Sequence, residues 1–208
     1  MNASESLPGV IFVMIGPGGA GKNAIMRAII ADSPSLRQLP TATTRPMRLD
    51  EEQGREHHFM SMAAFKKLLS AGQLLEYQEV TPGKFYGVPR QLALDCLRAG
   101  KARIADIEAL GAKKLAAAFP QNVVQIFVTV PGANMAAQLT VLAERMRQRA
   151  DAITDISCRL QRAEAIELPY QSQCDHIIVN DRLSSAIAAA RRIIDRELAA
   201  RHLPEATA

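Results

Sequence analysis

The run VIFVMIGPGGAGKN, residues 10–23, constrains the fold of this chain more than any other stretch. Six apolar residues lead into a glycine-rich turn, and a helical pattern over residues 24–30 follows at once. In such an arrangement the backbone N–H groups of the turn point inward, and the N-terminus of the helix adds positive potential. Lys22 adds a full positive charge. The run therefore predicts a phosphate-binding loop that consists of Gly16, Gly18, Gly19, Ala20, Gly21, Lys22 and Asn23.

Asn23 stands where such loops usually carry Ser or Thr, whose hydroxyl helps to hold Mg²⁺ beside a bound triphosphate. The Asn23 carboxamide oxygen can coordinate the metal directly, or through one of the waters that Mg²⁺ tends to keep. The sequence is compatible with either mode. We therefore keep Asn23 as the candidate metal ligand, and the prediction of phosphate binding does not depend on it.

Composition favours one compact α/β enzyme. The chain has 208 residues, of which 48% are hydrophobic and 4% aromatic, and this is enough for a substantial core. The net charge of +4 is compatible with nucleic acid, a membrane surface or a small phosphorylated ligand, and does not choose among them. The three cysteines are widely spaced and indicate neither a disulfide framework nor a zinc site. Without a targeting pattern or a membrane-length apolar run, we expect a cytoplasmic protein that binds neither membrane nor nucleic acid.

Strand-like runs alternate with helical patterns along the chain. The runs cover residues 10–15, 74–77, 103–107, 123–130 and 176–179, and this alternation predicts an α/β fold with a mainly parallel sheet flanked by helices. Ser61 is a predicted helix N-cap, and Pro89 is expected to open the next helix. Residues 40–87 and 144–162 are rich in charge and turn residues, and we interpret them as functional insertions.

The chain resembles the guanylate kinases in an ordered set of motifs. The segments GPGGAGKN, TATTRPMR, GREHHF, LLEYQEV, FYGVPR, ADIEALG and VNDRL occur in the order and spacing of that family, from about residue 10 to the last helix. The resemblance implies a single domain over residues 1–208, with a P-loop kinase core at about 8–39, 89–143 and 161–203. It also implies a nucleotide-monophosphate lobe at about 40–88 and a lid at about 144–160. The implied reaction moves the γ-phosphoryl group of ATP, with Mg²⁺, to GMP.

The acceptor side of the site is expected in the lobe. Arg45 and Arg48 carry guanidinium groups suited to an acceptor phosphate, and the resemblance assigns them this role together with Tyr86. Outside this motif, two loop arginines would be interpreted as solubilising. The two carboxylate oxygens of Glu76 match the adjacent N1–H and N2–H donors of guanine, whereas adenine presents an acceptor at N1. Thr41 offers a hydroxyl to the base.

The lid is expected to bring arginines to the transferring phosphates, because phosphoryl transfer needs alignment and charge stabilisation more than a covalent nucleophile. Arg145 is predicted to contact ATP. Arg147 and Arg162 are interpreted as solvent-facing and are left out of the site. The predicted catalytic set is Lys22, Arg45, Arg149 and Arg159.

The chain departs from the family pattern within the site. His57 stands in place of a phosphate-binding Tyr, Val88 in place of a base-reading Ser or Thr, and Glu108 in place of an Asp; the lid is about one residue shorter. His57 can bind a phosphate when protonated or form a hydrogen bond when neutral. Asp106 and Glu108 alternate at a strand end and are expected on one face, where they reach the metal waters, Lys22 or the substrate. The predicted substrate-binding set is Thr41, Arg45, Arg48, His57, Glu76, Tyr86, Val88, Asp106 and Glu108.

Two alternatives remain open. Ribose 1,5-bisphosphate kinases resemble this chain at YGV and in having a residue without a hydroxyl after the loop lysine, although Glu76 and TTRP favour GMP. The chain can also be interpreted as a catalytically degenerate binding module, as in guanylate-kinase-like scaffold domains. Retention of Lys22, of the acceptor arginines and of the lid arginines favours an enzyme. The sequence does not indicate the oligomeric state.

Overall fold

A parallel sheet forms the centre of the molecule. A computed structural model describes residues 7–33, 35–49, 51–149 and 153–203 of the chain. Within these residues, five strands form a sheet in the order β2-β7-β1-β8-β9, and each neighbouring pair is parallel. The α/β class with a mainly parallel sheet is confirmed. The strands are β1 (Val10–Ile15), β2 (Arg37–Gln38), β7 (Ala102–Asp106), β8 (Val123–Thr129) and β9 (His176–Val179).

Helices cover both faces of this sheet. Strand β1 is buried along its whole length because its side chains alternate between two hydrophobic clusters, one on each face. One cluster includes residues of α1, α5 and α8, and the other includes residues of α3 and α4. Among the described residues, no helix has both the length and the apolar character needed to cross a bilayer. The helices are α1 (Lys22–Ala31), α3 (Arg90–Arg98), α4 (Ala109–Ala118), α5 (Met135–Gln148) and α8 (Leu183–Ala200).

A second, smaller sheet lies in the predicted monophosphate lobe. In this described part of the chain, four strands follow the order β4-β3-β6-β5, with β3 parallel to β4 and antiparallel to β6. The stretch 74–77, predicted as part of the parallel alternation, belongs instead to β5, which runs on to Thr81 and pairs with β6 antiparallel. The strands are β3 (Thr41–Thr43), β4 (His57–Phe59), β5 (Leu74–Thr81) and β6 (Lys84–Pro89).

Two helices of this region begin directly after residues that the sequence predicts as helix starts. Helix α2 (Met62–Ser70) starts after Ser61, whose hydroxyl accepts a hydrogen bond from the Ala64 backbone N–H as an N-cap does. Pro89 directly precedes α3, also as predicted. Phe65 is the buried residue of α2 and packs with Ala42 and Leu74 in a small separate cluster.

The predicted lid, residues 144–160, contains the end of α5 and most of the helix α6 (Ile153–Arg162). Residues 150–152, within the predicted lid, lie outside the described residues. Helix α6 runs directly into a π-helical turn, Ala163–Glu167, followed by the short helix α7 (Leu168–Tyr170). A π turn contains one residue more than an α turn and is often found at functional sites. Here it lies between Arg162 and the buried Glu167.

Candidate active site

Side chains from both sheets line a cavity of ≈ 200 Å³. The carboxyl end of β7 supplies Asp106, helix α1 supplies Asn23 at the end of the phosphate loop, and the second sheet supplies the opposite wall. This is where ligands bind in open parallel sheets. The predicted site residues that line the cavity are Asn23, Thr41, Arg45, Arg48, His57, Glu76, Tyr86, Asp106 and Glu108.

Lys22 is the first residue of α1 and folds back over the phosphate loop. Its Nζ donates to the Gly16 carbonyl oxygen at 2.6 Å and lies 3.8 Å from a carboxylate oxygen of Asp106. Burial alone would lower the pKa of Lys22, but the neighbouring carboxyl groups, Asp106 first, outweigh burial and raise it. Lys22 is therefore a charged ammonium group at the loop.

Asn180 and Arg145 hold the phosphate loop in place through hydrogen bonds. Gly21 has a φ of 94°, and a Cβ at this position would lie 2.3 Å from Asn180 Nδ2, so only glycine fits. Asn180 Nδ2 donates to the Ala20 carbonyl oxygen at 2.7 Å, and Arg145 Nη2 donates to the Asn180 carbonyl oxygen at 2.7 Å. Asn180 belongs to the VNDRL segment, but sequence reasoning gave it no role in the site.

The predicted lid arginines differ in position. The Arg159 side chain lies over the phosphate loop, with its Cδ 3.5 Å from where a Cβ at Gly18 would be. Arg149 is the exposed C-cap residue of α5. Arg147 is exposed and its guanidinium lies 3.5 Å from the Glu144 carboxylate. The catalytic roles of Arg149 and Arg159 remain predictions.

Arg45 is held by a carboxylate that the sequence analysis overlooked. Arg45 is 8% exposed, and its two Nη atoms bond to the two carboxylate oxygens of Glu51. Its Nε donates to the Tyr86 hydroxyl at 3.0 Å, and the Arg48 backbone N–H donates to Glu51 at 2.9 Å. The hydrogen bond from Arg45 lowers the pKa of Glu51 to about 2. Glu51 therefore occupies the bidentate edge of the Arg45 guanidinium and holds that group in place. With its bond to the Pro46 carbonyl oxygen, Arg45 uses four of its five N–H groups.

His57 is neutral at physiological pH. Burial, together with the positive charge of Arg45, lowers the pKa of His57 to about 4. Its Nδ1 is 2.7 Å from the Thr41 hydroxyl oxygen, and its ring meets those of Phe59 and Tyr86 edge-on. Of the two interpretations of His57, the structure favours the neutral hydrogen-bonding group.

Glu76 is a buried carboxyl with an unused oxygen. It is 6% exposed, its Oε2 has no hydrogen-bond partner among the described residues, and burial raises the pKa of Glu76 to about 7. A Cβ at Gly111 would lie 2.6 Å from this oxygen, so Gly111 in α4 makes room for it. Val88 lies directly opposite Glu76 in the β5–β6 pair, but its side chain is fully buried in the core and not part of the cavity lining.

Asp106 and Glu108 belong to different elements. Strand β7 ends at Asp106, whereas Glu108 is the N-cap residue of α4, so the prediction that both lie on one strand face is wrong. The chain turns into α4 after Asp106, and the alternation of a strand no longer applies there. Both side chains still line the cavity. Burial raises the pKa of Asp106, and Lys22 offsets part of this effect.

Arg162, interpreted from sequence as solvent-facing, instead contacts residues of the cavity wall, and that interpretation is wrong. Its side chain is 23% exposed, and its Nη2 donates to Glu108 Oε2 at 2.6 Å. Glu167 is 5% exposed and lies 3.3 Å from Arg162 Nε. Burial and the neighbouring Glu108 raise the pKa of Glu167. No sequence signal links Arg162 to Glu108, because the two residues lie 54 positions apart in the chain.

A parallel α/β sheet with a lysine-bearing glycine loop at its carboxyl edge defines a P-loop protein, and the second sheet lines a neighbouring cavity. The sequence profile of the family described as guanylate kinase matches residues 9–197. The chain belongs to the guanylate kinase family.

Similar proteins agree over nearly the whole chain. Guanylate kinase from Gluconobacter oxydans is 37% identical over 186 residues, which cover 89% of this chain and 86% of the relative. Guanylate kinase from Thermosynechococcus vestitus is 35% identical over 93% of this chain and 97% of its own. The crystal structure of guanylate kinase from Anaplasma phagocytophilum superposes with a TM-score of 0.70 at 26% identity, covering 97% of this chain and 90% of that one.

Proposed function

We infer that the protein is an ATP-dependent guanylate kinase that transfers the γ-phosphoryl group of ATP to GMP and yields ADP and GDP. Glu76 carries this inference. A buried carboxyl with a free oxygen, in a cavity that also contains Arg45 and Arg48, suits a ligand with adjacent N–H donors and a phosphate. GMP has both features. The relatives described above are named guanylate kinases.

The charged groups divide into a donor side and an acceptor side. We propose that Lys22 and the phosphate loop hold the ATP phosphates, while the Arg45 N–H that bonds to none of the described residues, with Arg48 and Tyr86, meets the phosphate of GMP. Transfer then depends on alignment and on positive charge at the transferring group. Arg159, which packs on the loop, and Arg149 are proposed to supply that charge from the lid. Arg145 acts on the ATP side through its bond to Asn180.

The residues at the loop fit a magnesium ion. Asn23 and Asp106 both line the cavity, and their amide and carboxylate oxygens are the type of ligand that Mg²⁺ prefers. We propose that they hold the ion through its water molecules together with the ATP phosphates. The metal would neutralise charge on the β- and γ-phosphates.

The base would be read by carboxyl and hydroxyl groups of the lobe. Ionised Glu76 accepts from N1–H and N2–H of guanine, and Thr41 offers its hydroxyl, whose orientation is fixed by His57 at 2.7 Å. We also propose that residues 40–88 and 144–160 act as monophosphate lobe and lid on the core. The proposed setting for this small-molecule enzyme is the cytoplasm.

A substrate panel tests the function. With ATP and Mg²⁺, ADP release is measured for GMP, dGMP, AMP and ribose 1,5-bisphosphate, with Lys22→Met as the matched inactive variant. We expect turnover with GMP, little with AMP, and a loss of roughly a hundredfold or more in Lys22→Met, since a charge at the transferring phosphate is removed. Turnover of the sugar phosphate alone would identify a sugar-phosphate kinase. GMP binding without any turnover would identify a binding module.

A further inference from the structure

We propose that Arg162 is a positioning residue that fastens the lid helix α6 to the acceptor side of the cavity by holding Glu108 and Gln78. The proposal rests on the proposed function, because it concerns how the GMP site is assembled. Arg162 is the last residue of α6, whereas Gln78 lies in β5 and Glu108 precedes α4. One side chain thus links α6 to two elements that are far from it in sequence.

The contacts of Arg162 form a bridge. Its Nη2 donates to Glu108 Oε2 at 2.6 Å and to Gln78 Oε1 at 3.2 Å. Its Nε lies 3.3 Å from Glu167 Oε1 on the far side of the π turn. A planar guanidinium offers N–H groups in fixed directions, so that it can serve several acceptors at once, whereas an ammonium group is a compact point charge. The shape of the arginine head is therefore part of the bridge.

The acceptors of Arg162 belong to the cavity wall. Gln78 and Glu108 both line the cavity. Gln78 lies two positions after Glu76 in β5, and Glu108 is the N-cap residue of α4. With Arg162 on one oxygen of Glu108, the carboxylate has a fixed direction. Without Arg162, Glu108 and Glu167 would stand beside Asp106 with Lys22 as their cation. Glu108 would then be free to turn, and the negative charge facing an anionic substrate would rise.

The π turn sets the geometry of the bridge. It begins at Ala163, directly after Arg162, and ends at Glu167. Without the extra residue, Glu167 would be rotated by about 100° relative to Arg162, which is the angular step of one residue in a helix. The extra residue thus places the Glu167 carboxyl within 3.3 Å of Arg162 Nε. Opening of α6 must break the bond from Arg162 to Gln78 of β5, so this bond favours the closed position of α6 against the cavity wall.

Steady-state kinetics test the bridge. The variants are Arg162→Met, Arg162→Lys, Gln78→Ala and the double variant Arg162→Met with Gln78→Ala, and the matched control is Arg147→Met in the exposed lid arginine. We expect Arg162→Met to raise the KM for GMP roughly tenfold and to change the KM for ATP much less, as a lost hydrogen bond to a charged group would. Arg162→Lys should recover only part of this loss. The double variant should be no worse than Arg162→Met, because both changes remove one bridge.

A measurement without substrate separates this proposal from the proposed function. Hydrogen exchange of the α6 amides is followed in the nucleotide-free protein. We expect roughly tenfold faster exchange over Ile153–Arg162 in Arg162→Met, a smaller rise in Gln78→Ala and no change in Arg147→Met. Unchanged exchange in Arg162→Met would overturn the bridge, whether or not GMP is a substrate. Faster exchange with equal shifts in both KM values, or additive effects in the double variant, would overturn its link to the acceptor site.

Discussion

At the scale of single residues, the Glu76 carboxyl is buried with an oxygen that has no hydrogen-bond partner among the described residues. A buried polar group without a partner costs about 1–3 kcal/mol, so a stable protein would replace it if nothing were gained. The free oxygen of Glu76 faces Gly111, where any side chain would meet it. Gly111 lies inside α4, where glycine is a poor helix former. Glycine at this position makes α4 less stable, but it leaves room for the Glu76 carboxyl.

We expect Gly111→Ala to separate stability from substrate binding. The new methyl group would displace the Glu76 carboxyl, and the KM for GMP should rise roughly tenfold or more, as expected for loss of a charge-assisted hydrogen bond. The KM for ATP should stay the same. Helix propensity should add up to about 1 kcal/mol to the free energy of unfolding, which offsets strain at Ile107. Kinetics and denaturant unfolding check this, with Leu110→Ala, an exposed position of α4, as control. An unchanged KM for GMP would mean that the carboxyl does not need its present position.

Residues that act within one motif could be predicted from the sequence, and residues that act across the chain could not. Lys22 was identified because the loop around it is local. Arg162 and Asn180 escaped because their partners lie 54 and 160 positions away. Glu51 is only six residues from Arg45, but a charged residue in a charged loop looks solvated. Both side chains of the Arg45–Glu51 pair are buried in the folded lobe, and the sequence alone does not show this burial.

At the scale of elements, long apolar strands were predictable and short ones were not. The bounds of β1 and β9 match the predicted runs, since each has a clear apolar pattern. Strands β3 and β4 have three residues each, which is too short for a pattern, and β6 contains Gly87 and Pro89. The sequence therefore does not predict the second sheet, and its pattern wrongly assigns β5 to the parallel sheet. The π turn was hidden because the residues around it still look helical.

The β5–β6 pairing leads to a prediction at Val88. Directly opposed residues of antiparallel strands point to the same face, so a hydroxyl at this position would lie beside Glu76, although the Val88 side chain itself is buried behind the cavity wall. Val88→Thr keeps the volume of this fully buried side chain, which Val88→Ser would not. We expect the KM for GMP to fall by about tenfold or less, the size of one recovered hydrogen bond. The melting temperature without nucleotide should fall, because the hydroxyl is buried. A KM for GMP equal to that of the unmodified protein would show that position 88 does not reach the base.

At the scale of the whole molecule, ionisation of Glu76 links stability to substrate binding. Its pKa is about 7 in the folded protein and 4.5 in an unperturbed carboxyl. Between these values the folded protein holds a proton that the unfolded chain has released, so this group lowers the free energy of unfolding as pH rises through that window. In the proposed function, GMP binds the ionised form of Glu76. Binding of GMP below about pH 7 would therefore remove this proton, and it would pair a buried charge that otherwise lowers the stability of the domain.

The pH dependence of GMP binding should carry the signature of this one group. At pH 6 about a tenth of Glu76 would be ionised, so we expect GMP to bind several-fold to tenfold more weakly at pH 6 than at pH 8. The GMP phosphate also ionises near pH 6 and adds a smaller change of the same sign. Glu76→Gln separates the two contributions. The amide has one acceptor oxygen, so the variant should bind GMP weakly at every pH and keep only the change due to the phosphate.

Calorimetric titration at pH 6, 7 and 8 gives the affinities, and its heat in two buffers of different ionisation enthalpy gives the number of protons released. Near pH 7 the unmodified protein should release more protons on binding GMP than the Gln variant. Equal slopes and equal proton release in the two proteins would show that Glu76 is already ionised before GMP binds.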